Sequence, residues 1–461
     1  MFDTIHEECG VFGIIDPTGE TDVAHAAYTA LYALQHRGQE SCGIVVNNNG
    51  EASYHRGLGL VPDVFGKEAF EKLGNGQIAV GHTRYSNTFQ ANVKANTQPL
   101  IVRHEKGPMA ISFNGALTNS TELRKIHELK GGLFHTTGDA EVIAYAITEQ
   151  KLSSYAIEEA IEKAMPNLEG AYSMVIMTTH KLLAVRDPVG FRPLALGKMP
   201  NGAYVFASES CAFDTIGAEF IRDIRPGEIV VIEGNEIKSI TTHCTDKPHI
   251  CVFEYVYTAR PDSVLEGNSV HRARLRAGEF LWKEYPVEAD VVIGVPDSGL
   301  DAALGLANAS GIPYGVGFIK NRYIGRTFIL PTQAQRENAV RIKLNVVAET
   351  VKDKRVILVD DSIVRGTTSA NIVNLLRKAG AKEVHMRISS PPFMHPCYYG
   401  TDIDSRDKLI ACRMTLEEIR QSIGVDSLGY LSVESLNKLA DNGKCSFCDG
   451  CFTGKYPACR K

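Results

Sequence analysis

The first 240 residues consist largely of short apolar runs separated by Gly, Asn and Pro, which is the pattern of β-strands joined by turns. The clearest runs are CGVFGIID, QIAVGHTRY, MAISFNGAL, AYSMVIMTT, KLLAVRDP, AYVFASES and EIVVIEG. Apolar residues at helical spacing interrupt them at 24–35 and at 139–164. Many strands with few, clustered helices predict a domain of stacked α and β layers over residues 9–240.

After a polar linker at 241–248, predicted strands and helices alternate. DVVIGVP, RVILVD and EVHMRISS predict buried strands, and a helix is predicted over 300–310. A second helix, after RVILVD, has on one face the apolar residues Ile372, Leu375, Leu376 and Ala379. This order predicts a parallel α/β sheet over residues 249–400, followed by a helical, cysteine-rich tail at 401–461.

Composition narrows the class of protein. A chain of 461 residues is too long to fold around a single hydrophobic core, so more than one domain is expected. Its composition, with 44% hydrophobic and 22% charged residues, is ordinary for a globular protein. The net charge of −5 argues against nucleic-acid binding, and no apolar run approaches the roughly 20 residues that cross a bilayer. Residues 1–8 lack the features of a secretory signal, so we expect a cytoplasmic protein whose eleven cysteines serve thiolate or metal chemistry.

The segment VILVDDSIVRGTTS, at 356–369, predicts a phosphate site. A buried strand ends in Asp360 and Asp361, whose carboxylates suit ribose hydroxyls or Mg²⁺. Backbone N–H groups and Thr hydroxyls at the following helix start can bind phosphate, and Gly366 allows a close approach. A solvated turn is the alternative, but two unpaired acids at the end of a buried strand need a partner.

This segment resembles the phosphoribosyl pyrophosphate (PRPP) signature of type I phosphoribosyltransferases. The resemblance implies that Asp360 and Asp361 contact PRPP and one Mg²⁺ per subunit, and that the 5′-phosphate is bound by Arg365, Gly366, Thr367 and Thr368. VPDSG, at 295–299, is similar to the family's pyrophosphate loop, with Ser298 beside Mg²⁺, although a plain turn explains so short a motif equally well. The basic segment 320–345 is then expected to be a cationic lid.

Cys9 is the candidate nucleophile. A lone cysteine at the start of a strand is most often structural, but removal of the eight preceding residues would make Cys9 the N-terminus. Its free α-amine, with a pKa near ~7.7–8.0, could then act as general base for the thiol. In SFNGAL, Asn114 and Gly115 can donate to an oxyanion, Arg84 can bind a carboxylate, and Asp139 can pair with an ammonium.

The ordered motifs CGVFG, HRGQESCGI, GHTRYS, FNGAL, GDAE and RDPVGFRPL resemble the N-terminal-nucleophile (Ntn) glutaminase domain of class II amidotransferases. The resemblance implies an αββα sandwich with Cys9 as nucleophile and with Asn114 and Gly115 as the oxyanion hole. Arg84 and Asp139 would bind the α-carboxylate and α-amine of glutamine. His36 and Arg37 would lie in a loop near the site.

The tail carries the crowded group Cys445-x₂-Cys448-x₂-Cys451, with Cys459 beyond it. A zinc ribbon usually has two separated cysteine pairs, whereas an iron–sulfur cluster accepts four thiolates from distant segments. The spacing alone leaves zinc, an iron–sulfur cluster and unligated thiols as open alternatives.

From Cys9 to Tyr456 the chain resembles the amidophosphoribosyltransferase family, in particular its members with a propeptide, here 1–8, and a [4Fe–4S] cluster. The cluster ligands so implied are Cys251, Cys397, Cys448 and Cys451, with Cys445 a competitor for Cys448. The implied reaction converts PRPP, glutamine and water to 5-phosphoribosylamine, glutamate and pyrophosphate, the first committed step of purine synthesis. The family likeness also implies a homotetramer inhibited by purine nucleotides.

Two other functions are compatible with parts of the sequence. A regulatory PRPP-binding protein would need a basic DNA-binding segment, which conflicts with the net charge of −5. A different class II amidotransferase, such as glucosamine-6-phosphate synthase, would need sugar-isomerase repeats in place of VILVDDSIVRGTTS.

Overall fold

The structure is a computed structural model that describes residues 9–85, 94–104, 107–245, 248–321, 344–401, 403, 405–440 and 445–457. The predicted propeptide at 1–8, most of the predicted lid at 320–345, and Cys459 lie outside the described residues.

Two antiparallel sheets form the centre of the first half. Their strands are β1 (Gly10–Ile15), β2 (Ser41–Asn48), β3 (Glu51–Leu58), β4 (Ile78–Arg84), β5 (Leu100–His104), β6 (Gly107–Leu117), β7 (Gly170–Met177), β8 (Lys181–Arg186), β9 (Ala195–Lys198), β10 (Tyr204–Ala207), β11 (Glu219–Asp223), β12 (Ile229–Glu233) and β13 (Glu236–Ile240). The first sheet has the order β11-β9-β10-β1-β4-β2-β3 and the second β13-β12-β8-β7-β6-β5.

Helices cover the outer face of each sheet. They are α1 (Val23–Ala33), α2 (Val61–Val64), α3 (Lys67–Leu73), α4 (Ser120–Leu129), α5 (Asp139–Lys151), α6 (Ile157–Ala164) and α7 (Cys211–Ile216). Strand β1 shows why four layers form. Its Phe12 and Ile14 pack against the helices of the first sheet, whereas Val11 and Ile15 pack between the two sheets. Alternating apolar side chains thus fill two cores from one strand.

A parallel sheet with the order β17-β20-β21-β22 forms the second half. Its strands are β17 (Val291–Gly294), β20 (Arg355–Asp360), β21 (Glu383–Ile388) and β22 (Ser427–Tyr430), and its smaller neighbours are β14 (His249–Cys251), β15 (Val264–Leu265), β16 (Asn268–Ser269), β18 (Phe318–Lys320), β19 (Leu344–Val346) and β23 (Ser446–Cys448). The helices are α8 (Val270–Glu284), α9 (Gly299–Ser310), α10 (Ala348–Val351), α11 (Thr367–Lys378), α12 (Leu416–Ile423), α13 (Val433–Leu436) and α14 (Gly450–Thr453).

The parallel sheet is covered on both faces. Apolar residues of α8 and α9 pack on one face, and those of α11 and α12 on the other. The predicted strand–helix–strand unit is β20-α11-β21, with β20 and β21 paired in parallel. The predicted αββα sandwich and the predicted parallel α/β sheet are therefore both confirmed. No helix in the described part of the chain is long and apolar enough to cross a membrane.

Several local predictions differ from the structure. The segment 139–164 forms two helices, because 152–156 (LSSYA) interrupts the helical pattern. In α11 the buried apolar residues are Ile372, Val373 and Leu376, while Leu375 is only partly buried. The tail after 400 is not simply helical, since β22 lies at the edge of the parallel sheet and β23 pairs with β14. The predicted domain boundaries themselves stay predictions.

The close crossing of α8 and α9 generates a stability prediction. A methyl group at Gly305 would lie 1.9 Å from the Leu275 carbonyl oxygen, so the helices would have to separate. Alanine favours helices over glycine by about 1 kcal/mol, but overpacking costs about 1–3 kcal/mol. We expect Gly305→Ala to lower the melting temperature in calorimetry, whereas Asn308→Ala, on the exposed side of α9, should not. An unchanged or raised melting temperature for Gly305→Ala would contradict this packing.

Candidate active sites

Cys9 lies directly before β1 and is completely buried. Its backbone N–H donates to Asn114 Oδ1 at 3.1 Å, and its carbonyl oxygen accepts from Arg37 Nε at 3.0 Å. The neighbouring Gly10 pairs with Thr83, which places β4 and its last residue, Arg84, beside Cys9. The candidate nucleophile and the predicted oxyanion residue, 105 positions apart in sequence, are thus in contact.

Asn114 and Gly115 lie on β6, where pairing with β7 holds their backbone. Asn114 is completely buried, and its Nδ2 has no hydrogen-bond partner among the described residues. Gly115 has φ +145°, and a Cβ there would lie 2.0 Å from the Ala171 carbonyl oxygen, so only glycine fits. Buried donors are rarely left unsatisfied, which makes Asn114 Nδ2 a candidate donor to a bound ligand.

Arg84 and Asp139, the residues predicted to bind glutamine, are both fixed by protein groups. Arg84 is buried, with Nη1 3.4 Å from Glu40 Oε2. Asp139 begins α5, where Oδ2 accepts the Leu117 N–H at 2.7 Å and Oδ1 accepts the Ser120 hydroxyl at 2.5 Å. Since Leu117 ends β6, the Asp139 carboxylate is tied to the strand that carries Asn114.

His82 was not singled out by the sequence, although it belongs to the motif GHTRYS. It is completely buried, and its Nε2 lies 2.9 Å from the Phe113 carbonyl oxygen. Burial lowers the pKa of His82 to about 3, and the charge of Arg84 acts in the same direction. A neutral imidazole must donate from Nε2 to bind a carbonyl, so His82 holds the residue that precedes Asn114.

A buried ion network surrounds Arg37. Its Nη1 lies 2.6 Å from Glu209 and its Nη2 2.8 Å from Glu254, while His36 Nε2 lies 2.7 Å from Glu209. Burial opposes the charge on Arg37, but the ion pairs with Glu254 and Glu209 outweigh it and raise its pKa. Burial also opposes the charge on Glu209, yet His36 and Arg37 lower its pKa. The sequence placed His36 and Arg37 near the site but did not identify either glutamate as their partner.

The second site lies at the carboxyl ends of β17 and β20. Asp360 and Asp361 are 7% and 8% exposed, and the Asp361 N–H donates to Asp360 Oδ1 at 2.9 Å. Ser298 Oγ, from the loop after β17, donates to Asp361 Oδ2 at 2.5 Å. Adjacent parallel strands end at the same edge of a sheet, so the two predicted loops meet. Lys320, the first residue of the predicted lid, pairs with Asp297 in the loop that carries Ser298.

The two acids are electrostatically unfavourable as they stand. Burial is the largest cause that raises the pKa of Asp360, and the adjacent Asp361 raises it further. Burial also raises the pKa of Asp361, against hydrogen bonds from Ser298 and Ser362 and the charge of Arg274. A divalent cation would relieve this repulsion, so the pair is suited to Mg²⁺.

The predicted phosphate loop opens helix α11. Gly366 precedes the helix with φ +85°, a conformation that favours glycine, and a Cβ there would lie 2.6 Å from Ile410 Cδ1. Arg365, Thr367 and Thr368 are exposed around it. Thr367 and Thr368 are therefore accessible at the start of the helix, where backbone N–H groups and hydroxyls can bind an anion.

Four of the cysteines converge although they are far apart in sequence. Cys251 and Cys448 are direct partners in the parallel pair of β14 and β23. Burial is the main cause that raises the pKa of Cys448 and of Cys451. The neighbouring thiols of Cys251 and Cys397 raise both pKa values further. Within the described residues, no three His, Cys, Asp or Glu side chains are placed to hold a single metal ion.

Cys445 has different surroundings. Its Sγ lies 3.9 Å from Asn268 Nδ2, and burial together with Glu266 raises its pKa to about 11. The other charges that act on it are Arg186 and Asp223 rather than the remaining cysteines. The structure therefore groups Cys448, and not Cys445, with Cys251, Cys397 and Cys451.

The fold and the two sites define a class II glutamine amidotransferase joined to a type I phosphoribosyltransferase. Residues 82–215 match the glutamine amidotransferase domain family, and residues 271–389 match the phosphoribosyl transferase domain family.

Relatives that match over nearly the whole chain identify the family more specifically than the two domain families do. The chain is 48% identical to the amidophosphoribosyltransferase of Archaeoglobus fulgidus, over 97% of this chain and 98% of that protein. It is similar to the solved Bacillus subtilis glutamine PRPP amidotransferase complexed with ADP and GMP, with 46% identity, a TM-score of 0.89 and coverage of 97% of both chains. A structure described as the allosteric regulatory enzyme of purine biosynthesis gives 46% identity and a TM-score of 0.90, over 97% of this chain and 96% of that one.

The chain belongs to the amidophosphoribosyltransferase family. It is an enzyme that transfers the amide nitrogen of glutamine to PRPP in purine biosynthesis.

The raised pKa of Asp360 generates a prediction about stability. The folded state holds more protons than the unfolded state between the ordinary pKa of 3.8 and the raised value, so stability falls as pH rises through that window. We therefore expect Asp360→Asn to raise the melting temperature at neutral pH in the presence of a chelator, with the gain shrinking towards pH 4.

Asp426 provides the opposite case for the same experiment. Its pKa is lowered because hydrogen bonds from the Val384 N–H and Arg377 outweigh its burial, so it stabilises the fold above its ordinary pKa of 3.8. Asp426→Asn should lower the melting temperature at neutral pH. If Asp360→Asn lowers the melting temperature or leaves it unchanged at neutral pH while Asp426→Asn lowers it, the proposed repulsion at Asp360 is wrong.

Proposed function

We propose that the two sites divide the reaction, with glutamine hydrolysis at Cys9 and phosphoribosyl transfer at Asp360, Asp361 and the loop 365–368. The observation that carries the first assignment is the buried Asn114 Nδ2 without a partner, on the residue that contacts Cys9. Ammonia released at the first site would attack C1 of PRPP at the second, and pyrophosphate would leave. Because ammonium cannot attack, ammonia should travel inside the protein rather than through water.

In the first half-reaction, the Cys9 thiolate attacks the glutamine carboxamide carbon and forms a tetrahedral oxyanion. Asn114 Nδ2 and the Gly115 N–H would donate to that oxygen. Collapse of the intermediate breaks the C–N bond and releases ammonia, and water then hydrolyses the thioester to glutamate. The base would be the Cys9 α-amine, which exists only once residues 1–8 have been removed. Arg84 and Asp139 would hold the α-carboxylate and α-amine of glutamine.

In the second half-reaction, the chain's task is to bind and orient PRPP. Asp360 and Asp361 would accept hydrogen bonds from the ribose hydroxyls. The 5′-phosphate would be bound by the loop of Arg365, Gly366, Thr367 and Thr368. Mg²⁺, held by these acids with Ser298, would neutralise charge on the pyrophosphate. The proposal is supported by two buried acids whose nearest polar partners are hydroxyls and a backbone N–H, an environment that a cation would stabilise.

The four converging thiols support a [4Fe–4S] cluster held by Cys251, Cys397, Cys448 and Cys451. Each ligand of such a cluster binds a different iron, so the four sulfurs stand further apart than around one zinc ion. The cluster would be structural, because neither half-reaction transfers electrons. It would join the tail to the start of the phosphoribosyltransferase half through β14 and β23.

Regulation and assembly follow from the relatives alone. Purine nucleotides are proposed as inhibitors because the Bacillus subtilis relative was solved with ADP and GMP. A homotetramer is proposed from the family likeness.

The division of labour predicts a selective loss of activity. Cys9→Ala should abolish glutamine-dependent synthesis and leave ammonia-dependent synthesis within about twofold of the wild type, because the second site is separate. Product formation from each nitrogen donor measures this, with Cys42→Ala, a buried cysteine of the same sheet, as the control. Loss of both activities in a folded Cys9→Ala protein would contradict the proposal.

The cluster proposal predicts an anaerobically purified brown protein with broad absorption near ~400 nm, iron and acid-labile sulfide. Cys448→Ser should give colourless, less stable protein, because the cluster also cross-links the fold. Cys445→Ser, three residues earlier, is the matched control and should stay brown. Zinc without iron in the wild type, or retained colour in Cys448→Ser, would refute the assignment.

A further inference from the structure

Arg37 connects the candidate nucleophile to the other half of the chain. Its Nε donates to the Cys9 carbonyl oxygen at 3.0 Å. On the opposite edge of the guanidinium, Nη2 and Nη1 donate to the two carboxylate oxygens of Glu254 at 2.8 and 3.0 Å. Both side chains of this bidentate pair are completely buried. Such a planar pair fixes orientation as well as charge.

Glu254 belongs to the phosphoribosyltransferase half. It begins a short π-helix, Glu254–Thr258, which follows β14 in the chain. A second buried arginine, Arg192, donates from Nη1 to Glu254 Oε1 at 3.2 Å. One carboxylate thus lies between two guanidinium groups that both come from the glutaminase half.

The surroundings hold Glu254 in place from two directions. Arg192 also donates to the Tyr399 carbonyl oxygen at 3.0 Å and to Thr401 Oγ1 at 3.1 Å. Arg274 donates to the carbonyl oxygens of Tyr255, next to Glu254, and of Ala259, directly after the π-helix, both at 2.7 Å. The carboxylate therefore has little freedom to follow Arg37 if Arg37 moves.

We propose that Glu254 is a positioning residue for the glutaminase nucleophile, acting through Arg37. The proposal rests on the proposed role of Cys9. The bidentate pair with Glu254 fixes the plane of the Arg37 guanidinium. The hydrogen bond from Arg37 Nε then fixes the orientation of the Cys9 carbonyl group. The carbonyl in turn sets the direction of the Cys9 amine and thiol relative to Asn114. Small displacements of reacting groups lower rates steeply, so this contact should affect the chemical step.

The test is Glu254→Gln in the mature full-length enzyme. Glutamine has the same size but turns an N–H donor towards two guanidinium groups, which should displace Arg37. We expect kcat for glutamine hydrolysis to fall by roughly tenfold or more, because Cys9 loses its alignment. KM for glutamine should change little, since Arg84 and Asp139 are untouched, and ammonia-dependent synthesis should stay within about twofold.

Glu266→Gln is the matched control. Glu266 pairs with the buried Arg186 at 2.5 Å across the same two halves of the chain, but neither residue contacts Cys9. It should leave glutamine hydrolysis unchanged. A second readout is the rate at which iodoacetamide alkylates Cys9 as a function of pH, followed by mass spectrometry of the N-terminal peptide. Glu254→Gln should alter that profile and Glu266→Gln should not.

Each outcome decides the proposal. Equal glutaminase kcat in the Glu254→Gln and Glu266→Gln proteins would overturn it, and so would a parallel loss of both half-reactions in folded Glu254→Gln. If Glu254→Gln does not fold, the test uses Glu254→Asp, which keeps the charge on a side chain too short to reach both arginines. Glutamine hydrolysis at the wild-type rate by that variant would also overturn the proposal. The Cys9 assignment fails separately, if Cys9→Ala still hydrolyses glutamine.

Discussion

The contact between the two halves of the molecule depends on charge neutralisation of buried guanidinium groups. The largest completely buried side chains among the described residues include Arg37, Arg84, Arg186 and Arg192. A buried charge without a partner destabilises a fold by several kcal/mol, about 3–5 kcal/mol when one member of a pair is removed. Arg37, Arg186 and Arg192 each find a carboxylate in the phosphoribosyltransferase half. The two halves are consequently complementary in charge where these arginines and glutamates meet.

Much of the fold was predictable because its signals are local. Short apolar runs bounded by turn residues identified β1, β4, β6 and β7, and the strand RVILVD matched β20 from its first residue to its last. Strand β3 was not predicted, since its residues are mostly polar and none is fully buried, and it is held in place by pairing with β2. Strand β2 was not predicted either, although its run CGIVV is apolar and buried. The short helices α2, α3 and α7 were also not predicted. Helices of four to seven residues are too short to show a clear apolar period, and tertiary packing stabilises them.

The residues of the two sites also divide into those with a local signal in the sequence and those without one. Asp360 and Asp361 were recognisable because a buried strand ending in two acids is unusual on its own. Asn114 was a candidate through the chemistry of its side-chain amide, whereas Ser298 was identified by a family motif alone. Contacts between distant segments were beyond sequence reasoning altogether. Glu209, Glu254 and His82 are ordinary residues in their motifs, and only the fold shows that they surround the loop and strand next to Cys9.

The parallel pairing of β14 with β23 has a consequence for biosynthesis. Cys448 follows Cys251 by 197 residues, so a ribosome that adds about 5–20 residues per second needs roughly 10–40 s to deliver the second strand. During that interval the glutaminase half can already fold, while β14 has no partner strand from the tail. The edge of β14 that pairs with β23 therefore stays unpaired until translation has passed Cys448.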